Sequence, residues 1–305
     1  PVQGLPACVI DLQGSALDRH QWLAVLGRAT VIRGVTVRGG YSLTGGAISL
    51  LGWMSRLEGC AFEDCEVDDA AGGTGGAVYL GTADLVLTDC RFDRCHAGRG
   101  GALYQETGCS PCDTTLVRGC RFSGNTASEY GGAVFTLSQR GRILLEECIL
   151  DRNEAPRGGA LAAMSNGRLL VRNGTLVGNA ATVEGAAAFS WAGAISMVRC
   201  VLAANTGRPA VECVGTATEL DCSILWDNEP GTLEEECVAD DLPELLLVDP
   251  LFCSAEDLHP QPGSPCLPGS PGNDGCGWIG ALPGGCLDPG GAPAPSAGVP
   301  APRLR

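Results

Sequence analysis

The sequence contains no lysine, so all 20 of its basic residues are arginine, and they stand against 35 acidic residues. The resulting formal net charge of −15 would repel a phosphate backbone, and nucleic acid is therefore excluded as a partner. The absence of lysine also excludes every enzyme mechanism that needs a lysine as base. Only arginine remains for that role.

Aromatic residues are scarce, at 5% of the chain, whereas 45 residues are glycine and 45% are hydrophobic. The hydrophobic fraction is large enough for a sizeable core. Because few of the side chains are bulky, the composition favours a long, thin core over a single globular centre.

Only three histidines accompany 17 cysteines, and no cluster has the ligand spacing of a zinc site. So many cysteines are typical of an oxidising compartment and therefore of an exported protein. No signal peptide opens the chain at Pro1, and no apolar run reaches membrane-spanning length. We therefore expect a mature ectodomain whose membrane anchor, if any, lies outside this chain.

A six-residue motif recurs every 23 to 30 residues and is clearest as Cys60-Ala-Phe-Glu-Asp-Cys65, Cys90-Arg-Phe-Asp-Arg-Cys95 and Cys120-Arg-Phe-Ser-Gly-Asn125. Its copies begin at positions 34, 60, 90, 120, 148, 174, 200 and 223. A second motif, Gly-Gly-Ala followed by Ile, Val or Leu, runs in phase with it from positions 45, 75, 100, 131 and 158, with a degenerate copy at 185. Two motifs that share one period indicate a repeat architecture.

The repeats favour strands over helices, because apolar residues alternate and double glycines would destabilise a helix interior by roughly 1 kcal/mol each. The period is too short for the four strands of a propeller blade. We therefore predict an all-β, single-stranded, right-handed parallel β-helix of about eight coils, each with two or three short strands.

Equivalent residues of successive coils should stack in columns along such a helix. One predicted interior column contains Phe62, Phe92 and Phe122 and continues as leucine, and a second contains Cys60, Cys90, Cys120 and Cys148. A third column, at a tight bend, contains Asn125, Asn153, Asn179, Asn205 and Asn228. There asparagine should adopt left-handed backbone angles and form an amide ladder, and the glycine pairs should mark the opposite bend.

These paired motifs resemble those of chlamydial polymorphic outer-membrane proteins and of bacterial right-handed β-helix repeat proteins, over roughly residues 30 to 230. The segments Val248-Asp-Pro-Leu-Phe252, Pro262-Gly-Ser-Pro265 and Ile279-Gly-Ala281 resemble the ending of secreted β-helix proteins that carry varied anchors. The resemblance implies an extracellular or bacterial cell-surface, outer-membrane-associated location. It also implies a family that includes adhesins and polysaccharide-active enzymes.

We predict three regions: β-helix coils over residues 1–228, a last coil and disulfide-rich C-terminal cap over 229–286, and a disordered Pro/Ala-rich linker over 287–305. The cap should cover the last coil.

The cysteines suggest several disulfides. Pairs in neighbouring coils, namely Cys60 with Cys90, Cys65 with Cys95 and Cys120 with Cys148, are either cross-coil disulfides or buried thiols. Cys237 is expected to pair with Cys253, and two of Cys266, Cys276 and Cys286 with each other. Cys109 and Cys112 are expected to close a local loop rather than to form a redox site.

No catalytic site emerges from the sequence. The outward positions of the repeated strand carry one column with Glu63, Asp93 and Asp151 and another with Arg91 and Arg121. Such a face could bind sugar or calcium, although mixed charges on a solvated sheet are common. No cofactor is expected, and the acidic runs Asp68-Asp69, Glu234–Glu236 and Asp240-Asp241 offer at most weak calcium sites. His20, His96 and His259 are expected to be exposed or hydrogen-bonded.

The sequence therefore favours a monomeric, secreted or surface-exposed, non-catalytic passenger or stalk that binds glycans or surface proteins. The alternative is a lyase or hydrolase of the pectate-lyase-like superfamily. Such an enzyme would have a groove in which carboxylates and an arginine converge.

Overall fold

The computed structural model describes residues 8–27, 29–52, 54–69, 72–81, 85–106, 114–137, 142–216, 218–229, 237, 245–273 and 275–286. Within these ranges the chain forms 32 short strands that belong to four sheets, named here A to D. Cys109, Cys112 and the expected linker 287–305 lie outside the described residues. No helix in the described ranges is long and apolar enough to cross a bilayer.

Sheet A consists of β1 (Cys8–Asp11), β4 (Val35–Arg38), β8 (Ala61–Glu63), β12 (Arg91–Asp93), β16 (Arg121–Ser123), β20 (Ile149–Asp151), β24 (Thr175–Val177), β28 (Val201–Ala203), β31 (Ser223–Trp226) and β32 (Leu245–Leu246). Sheet B consists of β2 (Leu23–Val25), β6 (Ile48–Leu50), β10 (Val78–Leu80), β14 (Leu103–Gln105), β18 (Val134–Thr136), β22 (Leu161–Met164), β26 (Ala188–Trp191) and β29 (Val211–Val214).

Sheet C consists of β3 (Val31–Arg33), β7 (Ser55–Glu58), β11 (Leu85–Thr88), β15 (Thr114–Arg118), β19 (Arg142–Glu146), β23 (Arg168–Arg172), β27 (Ala194–Val198) and β30 (Glu219–Asp221). Sheet D consists of β5 (Tyr41–Ser42), β9 (Glu66–Val67), β13 (His96–Arg99), β17 (Thr126–Tyr130), β21 (Glu154–Arg157) and β25 (Ala180–Glu184).

The chain passes through sheets A, D, B and C in turn, and each strand pairs in parallel with its counterparts in the neighbouring coils. The predicted parallel β-helix is thereby confirmed. The eight motif copies supply eight successive strands of sheet A, from β4 to β31. A complete coil has up to four strands instead of the two or three that were expected.

Sharp corners separate the sheets, and in the described coils a residue with positive φ recurs at the corners between sheets C and A, A and D, and D and B. The first glycine of each Gly-Gly pair occupies one such corner, as at Gly75 with φ of 69°. The second glycine is required for a different reason, since a Cβ on Gly76 would lie 2.1 Å from the carbonyl oxygen of Gly101 in the next coil. The glycine pair thus satisfies both a left-handed corner and a close approach between coils.

The asparagine column forms a continuous hydrogen-bonded ladder inside the coils. Nδ2 of Asn125 donates to the carbonyl oxygen of Phe92 at 2.9 Å and to Oδ1 of Asn153 at 3.0 Å. The same Oδ1 also accepts the backbone N–H of Asn125 at 3.0 Å. The pattern repeats at the residues below. Every rung therefore links three coils.

One expectation about this bend was wrong. The residue with left-handed backbone angles is the one before each asparagine, for example Arg152 with φ of 54° and Ala204 with φ of 52°. The asparagines do not have positive φ, and Asn153 is fully buried. The preceding residue turns the chain, which directs the asparagine side chain inwards.

The phenylalanine column lies in the core next to this ladder. Phe62, Phe92 and Phe122 are fully buried, with ring centroids separated by 5.1 Å and 4.6 Å and nearly parallel planes. Leu150 pairs in register below Phe122, and the column continues as leucine through Leu225. The core is thus a row of like side chains along the axis.

The cysteine column is also buried, and its members are free thiols, as are Cys65 and Cys95. Their sulfur atoms donate to backbone carbonyls; for example, Cys148 Sγ contacts the oxygens of Val117 and Glu146 at 3.4 and 3.3 Å. Burial raises the pKa of both Cys148 and Cys200 to about 12. The sequence left open whether these cysteines form cross-coil disulfides or buried thiols, and in the structure they are buried thiols.

The C-terminal segment, residues 245–273 and 275–286, lies along the outside of sheet A and not only over the last coil. Ile279 is fully buried in a second hydrophobic cluster with Val201, Ala203 and Ile224, which are outward residues of sheet A. In these coils the outward positions are apolar, whereas the earlier coils carry charged residues there. The segment therefore covers the apolar part of this face.

Because the C-terminal segment follows this course, its disulfides differ from the ones that the sequence predicted. Cys237 pairs with Cys213, one coil earlier, and not with Cys253. Cys276 pairs with Cys222 and Cys286 with Cys253, while Cys266 remains a buried thiol, so no two of the last three cysteines pair together. The expected pairings were wrong because both lay within the cap, whereas two of the disulfides join the cap to the coils, at Cys213 and Cys222. The third, Cys253 with Cys286, lies within the cap but joins different partners from those expected.

We predict that Phe92→Ala lowers the free energy of unfolding by about 3 to 5 kcal/mol, because it leaves a cavity between two stacked rings. Phe92→Leu should cost only about 1 to 2 kcal/mol, since leucine fills this column in later coils. Denaturant unfolding measures both, and equal losses would contradict the stacked column.

Replacing Asn153 by alanine should cost about 3 kcal/mol, because the backbone N–H of Asn125 and the carbonyl of Phe122 lose their buried partners. Ser128→Ala, at an exposed site, is the control and should change stability by less than about 0.5 kcal/mol. An Asn153 variant as stable as this control would refute the ladder's role.

Iodoacetamide at pH 8 should modify the exposed Cys8 in the native protein and leave Cys148 and Cys200 unmodified until denaturant is added.

The raised pKa values of Cys148 and Cys200 also predict a loss of stability at alkaline pH. The unfolded thiols ionise from their ordinary pKa near 9, so the stabilisation present below pH 9 is lost as the pH rises towards 12. Peptide mass spectrometry and pH-dependent unfolding test these points, and native labelling of Cys148 would contradict them.

Candidate functional site

The outward face of sheet A brings together the five residues that the sequence singled out. Arg91 and Arg121 are in register on β12 and β16, and Asp93 is in register with Glu63. Asp151 follows on β20, opposite Ser123. The columns expected from the repeats are therefore present, and what each carboxylate contacts decides what this face can do.

Asp151 is held by three neighbours. Its carboxylate accepts hydrogen bonds from Nε and Nη2 of Arg121 at 2.9 and 3.1 Å and from the hydroxyl of Ser123 at 3.0 Å. Arg152 adds an ion pair at 2.6 Å, and only 5% of the Asp151 side chain is exposed. With both oxygens engaged, Asp151 suits a structural role better than that of a general base.

Glu63 pairs with Arg38 in the preceding coil, with 2.6 Å between Nη2 and Oε2. Asp93, by contrast, has no ion pair or side-chain hydrogen bond among the described residues. Its pKa is raised by burial, an effect that the charges of Arg94 and Arg91 oppose. Of the three carboxylates that the sequence predicted on this face, Asp93 is therefore the one that remains available to a ligand.

Ion pairs between coils recur on the other faces as well. Arg33 binds Glu58 along the edge of sheet C, and its hydrogen bond lowers the pKa of Glu58. Further pairs of this kind are Arg118 with Glu146, Arg94 with Asp64, Arg99 with Glu129, and Arg157 with Glu184. Since parallel register places opposite charges side by side, most of these charged groups neutralise one another.

His96 connects three coils in a way that the sequence analysis did not anticipate. Nδ1 lies 2.7 Å from the hydroxyl of Thr126, and Nε2 lies 2.8 Å from Oδ2 of Asp69. A hydroxyl, imidazole and carboxylate in a row resemble a nucleophilic triad, but that chemistry also needs N–H donors for an oxyanion. The N–H groups of His96 and Thr126 bond to the carbonyls of Cys65 and Cys95. The row thus works as a link between coils.

An aromatic stack on the outer face of sheet B was also missed. Tyr79, Tyr104 and Phe135 follow one another at 5.7 and 5.5 Å between centroids, and the Tyr130 ring lies 5.8 Å from that of Phe135 with its plane tilted by 31°. The available signal was the second residue after each Gly-Gly-Ala, which is aromatic in these coils. Tyr104 and Phe135 are buried, and burial raises the pKa of Tyr104 to about 12. The stack is therefore part of the packing.

The described residues of the coils from β19 onwards line two cavities on the outer surface. One, of about 340 Å³, lies on sheet C beside Arg142, Arg168 and Glu219. The other, of about 440 Å³, lies between the corner from sheet C to sheet A and the C-terminal segment, and Trp278 forms one of its walls. Both volumes are in the range of small-molecule sites.

The acidic run Asp68-Asp69 is engaged by other side chains. Asp68 pairs with Arg19, and Asp69 contacts His96; the runs Glu234–Glu236 and Asp240-Asp241 lie outside the described residues. In the described ranges, no group of three or more histidine, cysteine, aspartate or glutamate side chains could hold a metal ion. His20 contacts Asp18, and His259 contacts Asp257.

Comparison with known proteins agrees with this architecture. Residues 21–202 match the family model described as the right handed beta helix region. No curated protein and no solved structure matches the chain significantly. The matched residues cover more than half of the sequence and contain six complete copies of the repeated motif and the start of a seventh, so the chain belongs to the right-handed β-helix family.

Proposed function

We propose that this β-helix is a non-catalytic passenger or stalk of a secreted or bacterial cell-surface protein, and that its outer faces bind glycans or surface proteins. The observation that carries the proposal is the neutralisation of outward carboxylates by arginines of adjacent coils, as at Asp151 and Glu63. A catalytic groove needs carboxylates that are free to exchange protons. Here the charges instead stabilise a long, regular surface.

The location is supported by the chemistry of the cysteines. Three disulfides join the described residues of the C-terminal region to one another and to the last coils. Disulfides persist in oxidising compartments such as the periplasm and the cell exterior. A bacterial source and attachment to the outer membrane through a segment outside this chain remain parts of the proposal that rest on the resemblance of the repeats.

The alternative function, a polysaccharide lyase or hydrolase, has one observation in its favour. The Asp93 carboxyl has a raised pKa and lies near Arg91 and Arg121, which is the kind of environment found around catalytic acids. Its register neighbour Glu63 is paired with Arg38, and the other unpaired carboxylate of this column, Asp11 on β1, lies three strands away, at about 14 Å. The acid–base pair of a glycosidase is therefore incomplete there.

The proposal predicts no turnover when the whole chain is incubated with uronate-containing and neutral polysaccharides, as measured by unsaturated products and new reducing ends. It also predicts retention of the chain on immobilised polysaccharide or on intact cells. Asp93→Asn should leave that retention unchanged. Robust turnover that Asp93→Asn or Asp151→Asn abolishes would overturn the proposal in favour of the enzyme.

A further inference from the structure

We infer that the cavity beside Trp278 is a binding site for a neutral disaccharide. The inference rests on the proposed function and makes it specific, because it assigns glycan binding to one place: the corner between sheets C and A, where the C-terminal segment packs. This place differs from the outward face of sheet A that the sequence singled out.

The floor of the site comes from three successive coils. Glu147, Asn173 and Arg199 occupy the same corner position, and all three have positive φ, between 50° and 55°. Two coil spacings of about 4.8 Å separate the first from the third, so the row extends over about 10 Å. Such a row is long enough for a ligand larger than a single sugar ring.

Two side chains of this row, those of Glu147 and Arg199, are available. At the neighbouring corner, between sheets A and D, Arg94 and Arg152 use their side chains in ion pairs with Asp64 and Asp151. Glu147 and Arg199 are exposed and have no side-chain partner among the described residues. A left-handed corner favours glycine; Gly59 and Gly119 occupy it in earlier coils, and Asp89 occupies it in the coil between them. The Glu147 carboxylate and the Arg199 guanidinium line the cavity and are therefore free to hydrogen-bond a ligand there.

The opposite wall is held in place by several contacts. Asn173 Nδ2 donates to the carbonyl oxygen of Trp278 at 2.6 Å, and the indole Nε1 donates to the carbonyl oxygen of Leu282 at 3.0 Å. The next residue, Ile279, is buried in the second hydrophobic cluster, and the N–H of Gly280 bonds to the carbonyl of Arg199. The disulfide between Cys276 and Cys222 ties the same stretch to the last coil. The indole is thus positioned before any ligand arrives.

The chemistry of the lining specifies the ligand. Glu147 accepts hydrogen bonds, Arg199 donates them, and the Oδ1 of Asn173 accepts. The two charges cancel, so the site favours a neutral ligand with many hydroxyl groups, each of which both donates and accepts. The indole provides an apolar face for the C–H side of a pyranose ring. A neutral disaccharide combines these features, whereas the attraction of an acidic sugar to Arg199 would be offset by its repulsion from Glu147.

The test is a titration of the whole chain with cellobiose, lactose and chitobiose, and with digalacturonate as the acidic arm, followed by calorimetry and by tryptophan fluorescence. We expect at least one neutral disaccharide to bind and digalacturonate to bind more weakly. Glu147→Gln and Arg199→Gln should each weaken the binding on the order of tenfold, because each removes a charged hydrogen-bonding partner. Trp278→Phe should keep most of the affinity and lose the fluorescence change, and Trp278→Ala should lose the affinity.

The controls are Trp191→Ala, at an exposed tryptophan on sheet B, and Arg172→Gln, at an exposed arginine one coil from Arg199; both should bind like the unaltered chain. Three results would overturn the inference. They are the absence of neutral disaccharide binding at millimolar concentration, an affinity that Glu147→Gln and Arg199→Gln leave unchanged, and binding of digalacturonate alone. If the titrations fail but the chain is still retained on polysaccharide or on cells, the inference is refuted and the proposed function is not. If the chain turns polysaccharide over, the proposed function is refuted, and the titrations alone decide whether the disaccharide site exists.

Discussion

The in-register parallel stacking of coils is the constraint on which the rest of the structure depends, and the asparagine ladder is its most specific expression. Each asparagine uses both of its amide hydrogens and its oxygen across three coils. A shift of one residue would break every rung and move the buried phenylalanines outwards. The ladder, the Phe column and the thiol column therefore enforce a single register.

The same register controls the outer surface. Stacking places equivalent positions about 4.8 Å apart, so an arginine in one coil and a carboxylate in the next lie within ion-pairing distance. Exposed pairs of this kind contribute little stability individually. Their larger effect is on function, because they engage Glu63 and Asp151 on the outward face of sheet A, whereas Asp93 has no such pair among the described residues.

The surface changes character along the axis. In the earlier coils the outward face of sheet A carries Arg91, Asp93 and Arg121, whereas further along it carries Val201, Ala203 and Ile224. The apolar part is covered by the C-terminal segment, which buries Ile279 against it and is held by the disulfide of Cys276 with Cys222. The proposed sugar site exists only because this segment lies along the corner of the coils.

The sequence by itself determined the repeat, the strand positions of sheet A and the residues of the interior columns, because a period of similar residues has one arrangement in which like side chains stack. It also contained the aromatic positions after each Gly-Gly-Ala, although their stacking went unrecognised. Only the tertiary structure decided the disulfide partners, the burial of Asp151 and the surroundings of Glu147 and Arg199. The burial of Asp151 depends on its contacts with Arg121, Ser123 and Arg152. The surroundings of Glu147 and Arg199 and two of the three disulfides depend on where the non-repeating segment 245–286 packs, and no periodicity encodes that position.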